Sequence, residues 1–305
     1  MSDELVEKLH AAVRPQCEAF EAQRATYRRQ VVRTSLALVA VAAAGSLLFD
    51  DLLIYGLCAL TGAGIVIAVV AGIRSSRLTG YYKTAIMPEI VARICPGATY
   101  SPDEGIPYAM FAGSDLFRTP DRYSSEDMIA GTIGLTKFQF SEVQAEEKIV
   151  THTKNGTQTR WQDIFRGFLF IADFNKDFRG RTTLTPRGPL GTLFGGSDRV
   201  KLENPEFMKR FDIRSTDQVE ARYILSPSLM ERLVALSDKY GRGLRVSFTR
   251  SLIVVAIPSG TDHYEASVWR SITSHKALQR DILSILNLTA IVDELNMNTR
   301  IWSKR

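Results

Sequence analysis

The chain has 305 residues, 45% of them hydrophobic and 23% charged, with a formal net charge of +5. That apolar content excludes a disordered tail, and the length leaves a sizeable polar region beyond any membrane segment. The charge excess is small and contains no dense Lys/Arg run interleaved with aromatics, so no nucleic-acid partner is expected.

Residues 3–30 read as a polar amphipathic helix, with Leu5, Leu9 and Val13 on one stripe, an interruption at Pro15, and Phe20 and Tyr27 beyond it. It suits a juxtamembrane helix packed on the main domain, or a partner-binding or self-association helix. Two apolar stretches follow, Val31–Phe49 and Leu52–Ile73, separated only by Asp50 and Asp51. The second has no charged residue and, at about 1.5 Å per residue, is long enough as a helix to cross a hydrocarbon core of roughly 30 Å. The first spans if Arg33 snorkels to the headgroups. The expectation is a transmembrane helical hairpin over 31–73 with a tight acidic turn. Arg24, Arg28, Arg29 and Arg33 precede it, Arg74, Arg77 and Lys83 follow it, and the turn carries no base. Lys and Arg stay on the cytoplasmic side, so both termini and the main domain are expected there.

Arg74–Ile94 has a helical pattern with Ile86, Ile90 and Ile94 on one face and Pro88 marking a restart. Residues 98–131 hold Pro102, Pro107 and Pro120 and read as loop with short helical pieces, for which Ser114–Asp115 and Ser125–Glu126–Asp127 look like caps. From Gly134 the period becomes two, through Thr136, Phe138 and Phe140 to about Val150. Asn155–Gly156 then signals a turn into a second strand from Trp161 to Phe174. Residues 175–199 read as a long loop with a short strand at Thr182–Thr185. Arg179, Arg181 and Arg187 make this loop basic and candidate contacts for anionic lipid, and it lacks the Gly-Lys-Ser/Thr ending of a P-loop.

Asn204–Pro205 starts a short helix, and Ser226–Pro227 starts another with the stripe Leu229, Leu233 and Leu236, closed by Gly241. Leu244–Phe248 and Leu252–Ile257 form a second hairpin, and Val254, Val255 and Ala256 are apolar on both faces, which predicts a central strand. Residues 272–305 carry an amphipathic helix with Leu278, Ile282, Ile285, Val292 and Leu295 on its stripe. The expected divisions are therefore 1–30, 31–73, 74–271 and 272–305, and the fold class is α+β: a transmembrane hairpin, then a domain with an antiparallel sheet and flanking helices.

The densest polar cluster is Asp217, Glu220, Arg222 and Tyr223. Carboxylates beside an arginine can do acid–base work, and the same spacing also serves helix caps and structural ion pairs. No nucleophile or histidine accompanies the cluster. Cys17, Cys58 and Cys95 do not pair at metal or redox spacing, His10, His152, His263 and His275 are scattered, and no metal or cofactor is expected.

The stretch Phe165-Arg-Gly-Phe-Leu-Phe170, then Val200 to Phe207, then Ser215-Thr-Asp-Gln-Val-Glu-Ala-Arg-Tyr-Ile-Leu-Ser-Pro227 resembles a bacterial family of unknown function, domain of unknown function 3137. The resemblance covers Arg160 to about Pro258, and the layout of the hairpin. It implies two N-terminal transmembrane helices before a cytoplasmic α+β domain, in a bacterial inner membrane, and no activity or catalytic residue. The functional expectation is a membrane-anchored interaction or scaffold module whose partners are the lipid bilayer and another protein or a second copy. The alternative is a membrane-tethered enzyme using Asp217, Glu220 and Arg222. Transport is disfavoured because the two spans carry no acid within them to form a relay.

Overall fold

The structure, a computed structural model, describes residues 2–46, 52–153, 156–174, 178–188, 198–272 and 275–297. The chain begins with α1 (Ser2–Ala12), α2 (Arg14–Ser46) and α3 (Leu52–Tyr81), then a π-helical turn over Tyr82–Ile86 and α4 (Met87–Ile94). There follow β1 (Thr99–Ser101), α5 (Tyr108–Gly113), β2 (Arg122–Ile133), β3 (Thr136–Thr153), β4 (Gly156–Asp173) and β5 (Arg181–Pro186). The remainder is α6 (Pro205–Arg210), β6 (Phe211–Ser215), α7 (Gln218–Ile224), α8 (Pro227–Tyr240), β7 (Arg245–Thr249), β8 (Leu252–Pro258) and α9 (His275–Glu294). The described residues up to 93 and from 263 to 284 form one unit; those from 94 to 262 and from 285 onward form the other.

In the helical unit Pro15 stands near the start of α2, where its missing N–H costs little, and Cys17 N–H reaches Val13 O at 3.0 Å. The predicted stripe continues through it: Leu9, Val13, Cys17 and Phe20 are all buried, and the Phe20 ring lies 6.2 Å from that of Tyr81. Pro88 does not restart the helix. The π turn precedes it, with Met87 N–H bonded to Tyr82 O, and this wider turn is the kind of local adjustment that lets a helix run on through a proline. Both apolar stretches are helical where described. Leu36, Val39 and Val41 on α2 are exposed, as are Leu57, Leu60, Ile65, Val66, Val69 and Ile73 on α3. Among the described residues one helix, Leu57–Ile94, is long and apolar enough to cross a membrane. The expected Asp50–Asp51 turn lies outside the described residues.

The other unit is built on one eight-stranded antiparallel sheet in the order β1-β2-β3-β4-β8-β7-β5-β6. Asn155 lies outside the described residues, but the hairpin it predicts is present: β3 and β4 pair from Phe138↔Ala172 to Thr153↔Gly156. β8 is central, between β4 and β7, and Ile253 to Ile257 are buried on both faces. One face carries the cluster Ile106, Phe111, Leu116, Val143, Ala145, Phe165, Leu169, Ile171, Val254 and Ala256. The other buries Phe138, Phe140 and Phe170, whose rings stack 6.1–6.4 Å apart. Asn204 and Ser226 cap α6 and α8 as expected, and Tyr240 donates to Asn287 O at 2.5 Å, tying α8 to the second half of α9.

The structure keeps the reading of loop with a short helix over 102–121, where α5 lies, and overturns it at β1 and over 122–131. The polar stretch around Ser124–Glu126 belongs to the 12-residue strand β2, because β3 pairs with it on both sides of one irregularity. Ser125–Asp127 is not a helix cap but a break in register between Glu126 and Ile129, with Asp127 at φ 59 and buried. Ser114–Asp115 ends α5 instead of opening a helix, and Asp115 takes φ 57, a left-handed conformation that Asp tolerates better than most residues.

Gly167 takes φ 148, and a Cβ there would lie 2.2 Å from Ile257 O on β8. Gly167→Ala is expected to cost about 2 kcal/mol or more of stability, seen as a lowered unfolding midpoint. Arg250 and Ser251 turn the β7–β8 hairpin at φ 49 and 64. Ser251→Gly is expected to raise stability by about 1 kcal/mol, measured the same way.

Candidate functional site

The cluster read from the sequence sits where β6 hands over to α7. Asp217 is the N-cap of α7: its Oδ1 accepts from Val219 N–H at 2.9 Å and Glu220 N–H at 3.0 Å. Glu220 reaches back to the start of β5, where Oε1 accepts from Arg179 N–H and Oε2 from Gly180 N–H, both at 2.8 Å. Charge-assisted bonds of this kind are each worth about 1.5–3 kcal/mol. A Cβ on Gly180 would lie 2.9 Å from Glu220 Oε2 and 2.8 Å from Thr216 Oγ1, so the residue is small where the carboxylate must approach. Thr216 adds two bonds, its N–H to Arg181 O at 3.1 Å and its Oγ1 accepting from Arg181 N–H at 2.9 Å. Arg222 donates to Gln218 O at 3.1 Å and Lys201 O at 3.5 Å. Tyr223 is 53% exposed and Val219 79%, while Ala221 and Ile224 on the inner face are buried.

Asp217, Glu220 and Arg222 are thus brought together, with three of the four carboxylate oxygens accepting main-chain N–H groups. Glu220 and Thr216 fasten residues 179–181 to the β6–α7 junction, while Asp217 caps α7 and Arg222 holds Gln218 O and Lys201 O.

The three arginines of the neighbouring loop are in different settings. Arg179 is exposed. Arg181 pairs with Asp115 at 2.8 Å, and Arg187 donates to Met208 O at 2.5 Å. Close by, a cleft of about 460 Å³ is lined by Arg187, Glu206, Lys209, Arg210, Asp238 and Arg242 among others, and Arg210 is shared between Glu206 and Asp238. Among the described residues no group of three or more His, Cys, Asp or Glu could hold a metal ion.

The helical unit holds a polar network that no local pattern announced. Glu21 accepts from Ser271 Oγ at 2.7 Å, Ile272 N–H at 2.9 Å and Arg24, while Arg24 donates to Val268 O at 3.3 Å. Thr79 donates to Glu265 at 3.0 Å and accepts from Ala266 N–H at 3.1 Å; Lys83, itself buried, pairs with Glu265 at 3.4 Å. Tyr82 donates to Asp281 Oδ2 at 2.8 Å. The segment 265–272 is therefore strapped to α2 and α3 just beyond their apolar stretches. Burial pushes the Cys17 thiol up to about 11, aided by the carboxylates of Glu21 and Glu18, so it stays a protonated, unreactive thiol. Burial also pushes Glu21 up, but its bonds from Arg24, Ser271 and Ile272 outweigh it and hold the carboxyl below its ordinary value.

These features define an α+β protein with two units: a helical one containing an apolar helix long enough to cross a membrane, and one built on an eight-stranded antiparallel sheet. Residues 163–297 match the family model described as "Protein of unknown function (DUF3137)". No curated protein matches the chain. Among solved structures it is similar to the mycobacterial trehalose monomycolate transport factor A, TtfA, at 10% identity, over 60% of this chain and 92% of that one. The TM-score is 0.27, too low for the likeness to carry any argument.

A group held below its ordinary value stabilises the fold above that value, and the contribution is lost as pH falls through the folded value. The Glu21 strap is therefore expected to weaken on acidification below about pH 4.5, its ordinary value. Glu21→Gln should lower stability at neutral pH and flatten this acid dependence, as followed by thermal unfolding between pH 3 and 7. Asp217→Ala is expected to cost about 1 kcal/mol through loss of the cap, and Glu220→Ala more, with exchange of the Arg179 and Gly180 amides accelerated.

Proposed function

We propose that this chain is a membrane-anchored interaction module. In this reading α2 and α3 enter the bilayer as a hairpin, the termini and the sheet unit lie on the cytoplasmic side of a bacterial inner membrane, and the sheet unit binds a protein partner there. The observation that carries it is the pattern on the two helices. Leu36, Val39 and Val41 on α2 and Leu57, Leu60, Ile65, Val66, Val69 and Ile73 on α3 are exposed large apolar residues, in two helices of the same unit that pack together. Single exposed apolar residues are ordinary, but a continuous apolar surface of this length needs lipid or protein to cover it. Arg28, Arg29 and Arg33, all exposed, stand at the near end of the α2 surface, where anionic headgroups would neutralise them. In the sheet unit Arg179, Arg181 and Arg187 are proposed to add contacts to anionic lipid. Arg179 is the most available of them, since Arg181 and Arg187 already hold protein partners. The enzyme alternative draws no support from Glu220, both of whose oxygens accept main-chain N–H groups.

The full chain is expected to stay in the membrane pellet after alkaline carbonate extraction. A C-terminal fluorescent reporter should be active and a C-terminal periplasmic phosphatase inactive. Leu60→Lys with Ile65→Lys should release the protein or block its insertion, at about 2.5–3.5 kcal/mol per lysine near a span centre. Retention of that double variant in the pellet, or an active phosphatase, would sink the anchored reading.

A further inference from the structure

The strap of residues 265–272 dips and rises again. Ala266 N–H donates to Thr79 Oγ1 at 3.1 Å, Val268 N–H to Ser75 Oγ at 3.4 Å, and Ile272 N–H to Glu21 at 2.9 Å. Val268 O also accepts from Arg24 at 3.3 Å. From Thr79 to Ser75 the path moves about one turn of α3 toward its apolar stretch, and from Arg24 to Glu21 it moves nearly one turn of α2 away again. Val268 to Arg270 is therefore the part of the strap nearest the apolar stretches. Ser75 stands just past Ile73, about 3 Å along the helix axis. Arg74 lies over the Tyr27 ring at 5.0 Å, so the same level on α2 falls just ahead of Arg28. A bilayer of about 40–45 Å with a hydrocarbon core of roughly 30 Å leaves about 5–8 Å of headgroup layer on each side. With Ile73 at the edge of the core, Val268 lies inside that layer.

Trp269 stands at this low point and is 55% exposed, while Val268 before it and Ile272 after it are buried. Its main-chain N–H donates to Ser267 Oγ at 3.2 Å, and among the described residues its ring meets no other ring and its indole N–H no acceptor. A lone exposed aromatic is ordinary on a protein surface. This one is different because the strap is fixed on both sides of it, at the level where the helices leave the hydrocarbon. An indole has a large apolar body and a single donor, which suits a layer that is apolar on one side and wet on the other.

We infer that the turn of the strap at Trp269–Arg270 is a second membrane contact, with the Trp269 ring lying among the glycerol and ester groups of the bilayer interface. The partner is the lipid itself, and depth and continuity select it. The strap is bonded to both helices at their exit, and its exposed turn lies beyond Ile73 on α3 and Val32 on α2, which are exposed themselves. Charge does not make the choice. Arg24 is held by Glu21, Arg74 lies over Tyr27, and Glu265 meets Thr79 and Lys83. The inference rests on the anchored reading of α2 and α3 and adds to the membrane contact a segment 187 to 193 residues further along the chain.

The test is fluorescence of the full chain carrying Trp161→Phe and Trp302→Phe, which leaves Trp269 as its one tryptophan. The protein is reconstituted in phosphatidylcholine vesicles whose acyl chains are brominated either near the ester end or near the methyl end. Ester-end bromines are expected to at least halve the Trp269 emission and methyl-end bromines to quench it clearly less. The same result is expected when phosphatidylglycerol is mixed in, because charge does not select the contact. The difference in emission between the wild-type chain and Trp269→Phe repeats the measurement without the other two substitutions. Emission untouched by ester-end bromines overturns the inference, whether water or a protein surface covers the ring. Stronger quenching from the methyl end also overturns it, by placing the ring in the hydrocarbon core, as does quenching that needs phosphatidylglycerol. Carbonate extraction of the same vesicles reports the anchor separately: a retained chain with unquenched Trp269 removes this inference alone, and an extracted chain removes the anchored reading.

Discussion

The sheet depends on the pairing of β4 with β8. Each of these strands belongs to a hairpin that could form locally, β3–β4 and β7–β8, but Gly167↔Pro258 to Asp173↔Leu252 is what makes one sheet of them. The partners are about eighty to ninety residues apart in sequence, and closing so long a loop must be repaid by burial. The repayment is visible in composition. Phe168 to Ala172 on β4 and Ile253 to Ile257 on β8 are buried without interruption, so both strands are apolar on both faces. Gly167 marks the edge of that region, where the β8 backbone comes too close for any side chain.

What depends on neighbours in sequence was readable from sequence. Asn204–Pro205 and Ser226–Pro227 carry their caps within three residues, and Gly241 closes α8 at φ 93. The two hairpins and the central position of β8 followed from period and from the doubly apolar Val254–Ala256. What depends on distant partners was not readable. β2 holds Ser124, Ser125, Glu126 and Asp127, which favour turns, and becomes a strand only because β3 lies beside it. The bonds of Glu220 go to residues 40 and 41 positions upstream, and those of Glu21 to residues 250 and 251 downstream. A carboxylate looks the same in a sequence whether it faces a substrate or a main-chain amide, and only the fold distinguishes them.

That distinction bears on the Ser215–Pro227 stretch. Ser215 Oγ meets Thr182 Oγ1 at 2.9 Å, Thr216 exchanges two bonds with Arg181, Asp217 caps α7, Glu220 fastens Arg179 and Gly180, and Ser226 caps α8. Nearly every polar residue there is engaged in holding the backbone of this one corner. Val219 and Tyr223 are exposed on a helix whose inner face is buried. A motif can be specific because each of its members has a different structural duty.

The arginines divide in a related way. In the sheet unit Arg118, Arg166, Arg181, Arg199, Arg210 and Arg214 each meet a carboxylate. Apart from the mostly buried Arg199–Asp212, such partly exposed pairs contribute little to stability, but they leave those cations with small net fields. Arg28, Arg29 and Arg33 meet no carboxylate among the described residues, and they stand within two turns of one another at the start of an exposed apolar surface. These cations sit on a helix beside exposed Val32 and Leu36, and it is on that juxtaposition of cation and hydrocarbon that the proposed bilayer contact rests.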